Sequence, residues 1–428
     1  MSNLLRCGLW LGCAFVMVST IPASAERLEG QWPQWRGPNR DAIAPETGLA
    51  DSWENQAPQL AWEADGLGSG YASLSLVDGK IYTMGDFDTE QCALCLEDGT
   101  GKVLWKTPVG PAGGIGYAGS RCTPTVDGNL LYVTGSSGTI VCLNAKTGKI
   151  VWQREMVDEF GGSVPKWGFA ESPLVDGNLL LCTPGSPDAT IVALNKKNGK
   201  GIWKSSVPDL GENGKDEAGY SSIVISEACG VKQYVQLTGK GVIGVDAKDG
   251  KFLWGYNRIA NRVANIPTPL IDGDYVFTST GYSTGAALLK IVKKGSKLEA
   301  EEMYFLPPNK MQNHHGGMVL LDGHVYCGTG HNEGFPLCVE MASGDISWFG
   351  GRGPGKKSAA VVAADGNLIF RYQDGVVALI EATPDEYRLK GTFQIPNVSD
   401  PSWPHPVVVE GKLFLREQDH LYVYDLKY

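Results

Sequence analysis

The chain has 428 residues, a formal charge of −10 at pH 7, 20% charged residues, 56 glycines and 12 tryptophans. With no basic arm or lysine-arginine stripe, it offers a phosphate backbone nothing to hold, which excludes nucleic acid as a partner class. Sparse charge beside abundant Gly, Val, Ile, Leu and Tyr suits many short strands joined by tight turns.

Residues 1–25 read as a signal peptide. Arg6 is the only charge, Gly8 to Val18 is apolar, and Ala23-Ser24-Ala25 gives a small-x-small cleavage site before Glu26. The apolar run is shorter than the roughly 20 residues a spanning helix needs. The mature chain is therefore expected to be exported, periplasmic or extracellular, with no transmembrane segment and a charge near −11. A lipoprotein reading through Cys13 is weaker, because Trp10 stands where a small aliphatic residue belongs. Residues 26–58, with Trp32-Pro33-Gln34-Trp35-Arg36-Gly37-Pro38, have little strand pattern. They form an N-terminal extension, expected over the closing unit of residues 59–428 or over one mouth of it.

From there an aromatic recurs at Trp62, Trp105, Trp152, Trp203, Trp254, Tyr304, Trp348 and Phe393, at gaps of 43, 47, 51, 51, 50, 44 and 45 residues. A period of that size marks a propeller or solenoid, each unit being one supersecondary element that cannot bury its apolar face alone. Residues 120–152 show the unit best: Thr125-Val126-Asp127-Gly128, Leu130 to Gly135, Thr139 to Leu143, then Thr147-Gly148-Lys149-Ile150-Val151-Trp152. That is strand, Asp-Gly hairpin, strand, strand, Thr-Gly turn, strand, and the Asp-Gly signal returns at residues 78, 176, 272, 322 and 365, with Glu410-Gly411 as a variant. Inner strands are expected to begin near Ser73, Thr123, Ser172, Ser222, Thr268, Met318, Val361 and Pro406. The last unit has three strands and an orphan strand, Gln59 to Glu63, precedes the first, so a ring would close by lending that strand to the last blade. The expected fold is an all-β, eight-bladed β-propeller, with seven blades as the alternative. Gly211 to Glu217 and Lys293 to Ala300 are polar and are expected to be exposed loops.

Eight cysteines follow the leader. Cys95, Cys142 and Cys338 fall at one equivalent strand site and Cys182 and Cys327 at another, which is the behaviour of a small buried hydrophobe. Cys92 and Cys95 lie three apart on a strand and so face opposite sides. Free thiols are expected.

The segment Cys142 to Trp152, with Asn144, Gly148 and Trp152, resembles the tryptophan-docking motif of quinoproteins, and Gly244 to Trp254 repeats it with Asp246 and Gly250. Blades one, three and six match through Glu97, Gly101 and Trp105, through Asn195, Gly199 and Trp203, and through Glu340, Gly344 and Trp348. The chain thus resembles the PQQ-repeat, quinoprotein-like propellers, in particular secreted PQQ-binding-like proteins of planctomycete-type bacteria. The wider family holds PQQ-dependent alcohol dehydrogenases and the scaffold BamB. The docking motif speaks for the fold and hardly for chemistry.

Propeller ligands bind where the segments before the inner strands converge. Those places hold Tyr71, Arg121, Trp167, Glu171, Tyr220, Asn265, His314, His315, Lys357, Trp403 and His405. For a bound PQQ with calcium, the resemblance implies Arg121, Lys357 and Asn265 on the carboxylates, Trp167 or Trp403 on the rings, and Glu171 with Asn265 on the cation. No second carboxylate stands ready as a base, and the adjacent cysteines of many PQQ alcohol dehydrogenases are missing. His314, His315 and His405 with Glu171 would instead suit a transition metal; two adjacent extended histidines point apart, so at most one of His314 and His315 should join. His331 is expected farther from the channel, as a loop hydrogen-bonding residue. No Gly-x-Ser-x-Gly elbow or phosphate loop occurs. These observations point to a ligand- or protein-binding scaffold, its partner a small molecule or an envelope protein, with a PQQ-dependent alcohol (polyvinyl-alcohol-type) dehydrogenase as the alternative.

Overall fold

A computed structural model describes residues 30–113, 116–399 and 401–427. The proposed leader lies outside them. Thirty-two of the strands among the described residues make eight four-stranded antiparallel blades, once Gln59–Ala64 is counted with the three C-terminal strands. Blade one begins with Ser75–Val77, and the following inner strands begin at Thr125, Leu174, Val224, Leu270, Met318, Ala359 and Val407. Gln59–Ala64 pairs antiparallel with His420–Asp425, Gln59 opposite Asp425 and Ala64 opposite Leu421. The N-terminal strand therefore closes the ring, and the eighth blade has no open outer edge of its own making.

The Asp-Gly signals fold in two ways. Asp78-Gly79, Asp322-Gly323, Asp365-Gly366 and Glu410-Gly411 place both residues at positive φ, the geometry of a two-residue type I′ hairpin. At Asp127, Asp176 and Asp272 the aspartate still pairs in the ladder, and the loop is Gly128-Asn129, Gly177-Asn178 or Gly273-Asp274 with positive φ at the glycine alone. One residue of register separates the two turn families, although the sequence signal is the same.

The aromatic ladder clamps each blade to the next. Trp105 Nε1 donates to Ala145 O and Trp152 Nε1 to Lys196 O, both at 3.0 Å; Trp348 Nε1 reaches Thr383 O at 2.7 Å and Tyr304 OH reaches Met341 O at 2.6 Å. Three of the indoles lie on the turn glycine of the following blade: a Cβ on Gly148 would strike Trp105, one on Gly199 Trp152, and one on Gly250 Trp203. Trp254 departs from the pattern. Blade five has no Thr-Gly turn for it to meet, so it folds back on its own blade, over Gly244, and donates to Gln233 Oε1.

One of the two loop expectations is corrected. Lys293 to Ala300 is not a loop: the strands Gly285–Lys294 and Lys297–Leu306 carry the blade-five hairpin out to Gly295. Charges on both faces mark a ribbon that projects past its neighbours, where Lys294 pairs with Glu299 and Glu301. In Gly211 to Glu217 the end turns inward, with Glu217 buried and paired to Lys215.

The eight cysteines among the described residues are free, and of these only Cys229 is not fully buried. Cys92 packs with the cluster shared by blades seven and eight, Cys95 with that of blade two, as opposite faces of one strand require.

The segment from residue 30 to residue 44 runs through the middle of the ring. Trp32 exchanges backbone hydrogen bonds with Leu76 of blade one, and Pro33 O accepts from Val126 N of blade two. Trp35 Nε1 donates to Thr268 Oγ1 of blade five, Arg36 to Met318 O of blade six, and Arg40 to Ser172 O and Pro173 O of blade three. Ile43–Ala44 adds a parallel strand to Ala359–Ala364 of blade seven. One short segment thus ties six inner strands and blocks the channel.

Candidate functional site

Above that plug the channel opens into a cavity of about 490 Å³. Its lining brings together six of the eight residues singled out as binding candidates: Arg121, Trp167, His314, Lys357, Trp403 and His405. Aromatic rings form most of the wall. Trp403 lies 4.5 Å from Tyr71, 5.2 Å from Tyr117 and 4.3 Å from His315 between ring centroids, and Trp167 lies 5.7 Å from Tyr220. Trp403 is fixed by Nε1 donating to Gln373 Oε1 at 3.0 Å. Cations sit on several rings, Arg121 over Tyr71 and Lys166 over Trp167, as cation–π attraction favours.

Glu171 and Asn265 do not line the cavity. The Glu171 carboxylate accepts from Thr183 N at 2.6 Å, Thr183 Oγ1 at 2.8 Å and Gln236 Nε2 at 3.3 Å, behind the wall between blades three and four. Burial pushes its pKa up to about 7, against the lowering hydrogen bonds from Thr183. The Asn265 amide donates to Thr238 O and Gly239 O and accepts from Asn261. Both side chains are fully engaged in tying loops together, so the cation site expected from them is not assembled. Among the described residues no three His, Cys, Asp or Glu side chains converge on a metal-holding point.

The histidines differ from expectation in two respects. His314 and His315 both line the cavity, their rings 3.5 Å apart, because the segment Gln312 to Gly317 is not extended strand. His331 lines it too, with its ring 4.5 Å from both His314 and Tyr282. The loop after the second strand of blade six leans over the mouth, which its position in the repeat does not reveal. His314 Nδ1 faces Ser358 Oγ at 3.2 Å and its Nε2 faces Tyr282 OH at 3.1 Å. Burial first, then neighbouring positive charge, lowers the pKa of His314 and of His405 to about 3, and that of His315 well below the usual imidazole range. They are neutral hydrogen-bonding partners at physiological pH.

Sequence reading also misses Trp35 and Arg36, which form the base of the cavity, and Tyr117, Lys166 and Tyr282 on its wall. The charged residues lining it among the described residues, Arg36, Arg121, Lys166 and Lys357, are all cationic.

The fold and its aromatic clamp define a quinoprotein-type eight-bladed propeller with a blind cup at one mouth. The chain belongs to the family described as outer membrane protein assembly factor BamB, which matches residues 53–349. It is 32% identical over 155 residues to quinoprotein alcohol dehydrogenase PedH of Pseudomonas putida, covering 33% of this chain and 24% of that protein. It is 30% identical over 112 residues to BamB of Salmonella typhimurium, covering 25% of this chain and 27% of the relative. The match thus spans only about a quarter of the length of these curated relatives. The crystal structure of BamB from Moraxella catarrhalis superposes with a TM-score of 0.60 at 12% identity, over 86% of this chain and 98% of that one, a likeness of fold alone. No helix among the described residues is long and apolar enough to cross a membrane.

Proposed function

We propose that the protein is an exported, non-redox binding scaffold whose aromatic cup takes a small ring-bearing ligand. The observation that carries this reading is the blind cup itself: tryptophans and tyrosines packed at tilted angles around a space of about 490 Å³, closed below by residues of the chain's own N-terminal segment. Enclosed, mostly aromatic concavities with a few convergent polar groups are where small molecules bind. Export rests on the leader at residues 1–25 and agrees with relatives named as outer membrane assembly factors.

PQQ with calcium fits the described lining poorly. Calcium takes six to eight oxygen ligands, usually with carboxylates among them, yet Glu171 and Asn265 are turned into the scaffold. No carboxylate lines the cup among the described residues, for the cation or as a base for an alcohol proton. The dehydrogenase alternative keeps the aromatic wall and Arg121 in its favour.

Calorimetric and fluorescence titration with PQQ, with and without calcium, followed by dye-linked alcohol oxidation, separates the two. The scaffold reading expects no dye reduction and no calcium dependence of any binding. Calcium-dependent binding followed by dye reduction with an alcohol would sink it.

A further inference from the structure

One edge of the propeller is basic, although the chain carries a net charge of −10. The cup is walled by segments that precede the inner strands, so those strands run away from it. In a four-stranded antiparallel blade the first-to-second and third-to-fourth turns then both fall at the end opposite the cup. There the outer turns of blades two and three, Asn144 to Lys149 and Asn195 to Lys200, contain five lysines and no carboxylate. Lys196 pairs with Asp127 at 2.5 Å. Lys146, Lys149, Lys197 and Lys200 are exposed, and among the described residues no ion pair holds any of them. Carboxylates mark the limits of the patch: Glu97 and Asp98 stand in the outer turn of blade one, Asp246 and Asp249 in that of blade four. Asp176, in the inner turn of blade three, is paired with Lys232 at 2.6 Å.

Directly after the two basic turns the chain exposes aliphatic side chains. Ile150 is 44%, Val151 49% and Ile202 49% exposed. They open the strands Ile150–Glu155 and Gly201–Lys204, each the outermost of its blade. The indoles that follow are already docked, Trp152 on Gly199 and Trp203 on Gly250, and Arg154 is paired with Glu159. What remains is lysine beside short aliphatics. Protein interfaces are anchored by tryptophan, tyrosine and arginine and are depleted in lysine. An anionic lipid surface asks for the combination found here: it attracts the ammonium groups to its headgroups and takes short apolar side chains between them.

We propose that the end of the propeller opposite the cup rests on an anionic bilayer through blades two and three, with Lys146, Lys149, Lys197 and Lys200 on the headgroups and Ile150, Val151 and Ile202 reaching between them. The N-terminal segment lies at the same end: Gln31 Nε2 donates to Asp78 Oδ1 at 3.2 Å, and Gly30 lies against the Glu410 side chain, both partners belonging to inner turns. Whatever precedes residue 30 is thus joined on the docking side, and the cup opens away from the bilayer.

The test is cosedimentation with vesicles of phosphatidylcholine alone and of phosphatidylcholine mixed equally with phosphatidylglycerol. The protein begins at Glu26, which keeps every described blade and removes the apolar leader as an anchor. Binding is expected with the mixed vesicles only, and raising salt from about 0.1 M to about 1 M, which shortens the screening length from ~10 Å to ~3 Å, should weaken it. A lysine near such a surface contributes about fivefold, so Lys149→Gln with Lys200→Gln should weaken binding roughly 25-fold. Ile150→Ser with Ile202→Ser should weaken it about tenfold. Lys310→Gln with Lys356→Gln removes the same charge from exposed positions in the segments before the inner strands of blades six and seven, at the cup end, and should bind as the parent does. Equal losses from the two lysine pairs would reduce the effect to net charge and overturn the docking face. Equal sedimentation with both vesicle types overturns the proposal too, as does none with either, which would leave these lysines as guards of open strand edges.

Discussion

The contact between Trp105 and Gly148 allows the blade clamp to be weighed against the turn that carries it. Gly148 has φ +69, and a Cβ on it would come within 2.6 Å of Trp105 Cδ2, 2.7 Å of Cε3 and 2.8 Å of Thr107 Oγ1. Gly128 has a similar φ of +58 in the hairpin of the same blade, with nothing within 4 Å of such a Cβ. Both Gly→Ala changes force an L-residue into left-handed backbone, about 1–2 kcal/mol each. Only Gly148→Ala also drives an indole from its slot, adding about 1–3 kcal/mol of overpacking and straining the 3.0 Å bond from Trp105 Nε1 to Ala145 O. The expected losses are about 1–2 kcal/mol for Gly128→Ala and about 2–5 kcal/mol for Gly148→Ala, large against the roughly 5–15 kcal/mol that holds a domain folded. Urea unfolding followed by tryptophan fluorescence measures both, with the slope compared to confirm that the transition keeps its character. Equal losses in the two variants would refute the clamp as a source of stability and leave only backbone strain.

Three further outcomes are expected. Glu171 is protonated in the folded protein up to about pH 7 while the unfolded chain ionises near pH 4.5, so the unfolded state binds fewer protons in that window; stability from this group is full below pH 4.5 and is lost as pH rises to 7, by a few kcal/mol. Glu171→Gln should flatten that part of the stability profile, which urea midpoints from pH 4 to pH 8 would show. Arg416, 1% exposed, donates to Gln418 O, Thr83 Oγ1 and the carbonyls of Met84, Leu67 and Gly68 across the seam between blades eight and one. Arg416→Met should lower stability by about 3–5 kcal/mol and make the seam the first site of limited proteolysis; cleavage spread evenly over the blades would contradict it. Thiol titration of the native protein should show rapid reaction at Cys229 alone among residues 26–428, since the other seven are buried and burial raises their thiol pKa values, as at Cys122, pushed up to about 12, with eight thiols reacting in denaturant.

What the sequence made legible was whatever the repeat writes eight times. Blade number, the borrowed strand Gln59–Ala64 and the glycines under Trp105, Trp152 and Trp203 follow from a period that local propensity and packing obey together. The cup was half legible, because position in the repeat says which segments reach the channel but not where their side chains turn. Glu171 and Asn265 occupy the right segments and are drawn away by Thr183, Gln236, Asn261 and the carbonyls of residues 238–239. Arg36 and Trp35 were illegible for the opposite reason: their partners Met318 and Thr268 lie more than 230 residues away, in a stretch with no periodic signal. The twin turn registers at Asp78 and Asp127 escaped notice because one dipeptide serves both.

The plug and the borrowed strand also fix the order in which the molecule can be completed. Residues 30–64 precede the first blade in the chain, yet their partners include His420–Asp425, which follows every other blade strand. A ribosome or secretion pore delivering the chain end to end leaves the earliest segment unmated until the final blade emerges. Such distant pairing is slow to form, and a chain that stops short, even by the last strand, has neither a sealed circumference nor a partner for its first. Completeness of the polypeptide is thereby converted into a yes-or-no condition on the folded state, which a protease patrolling for loose ends can read.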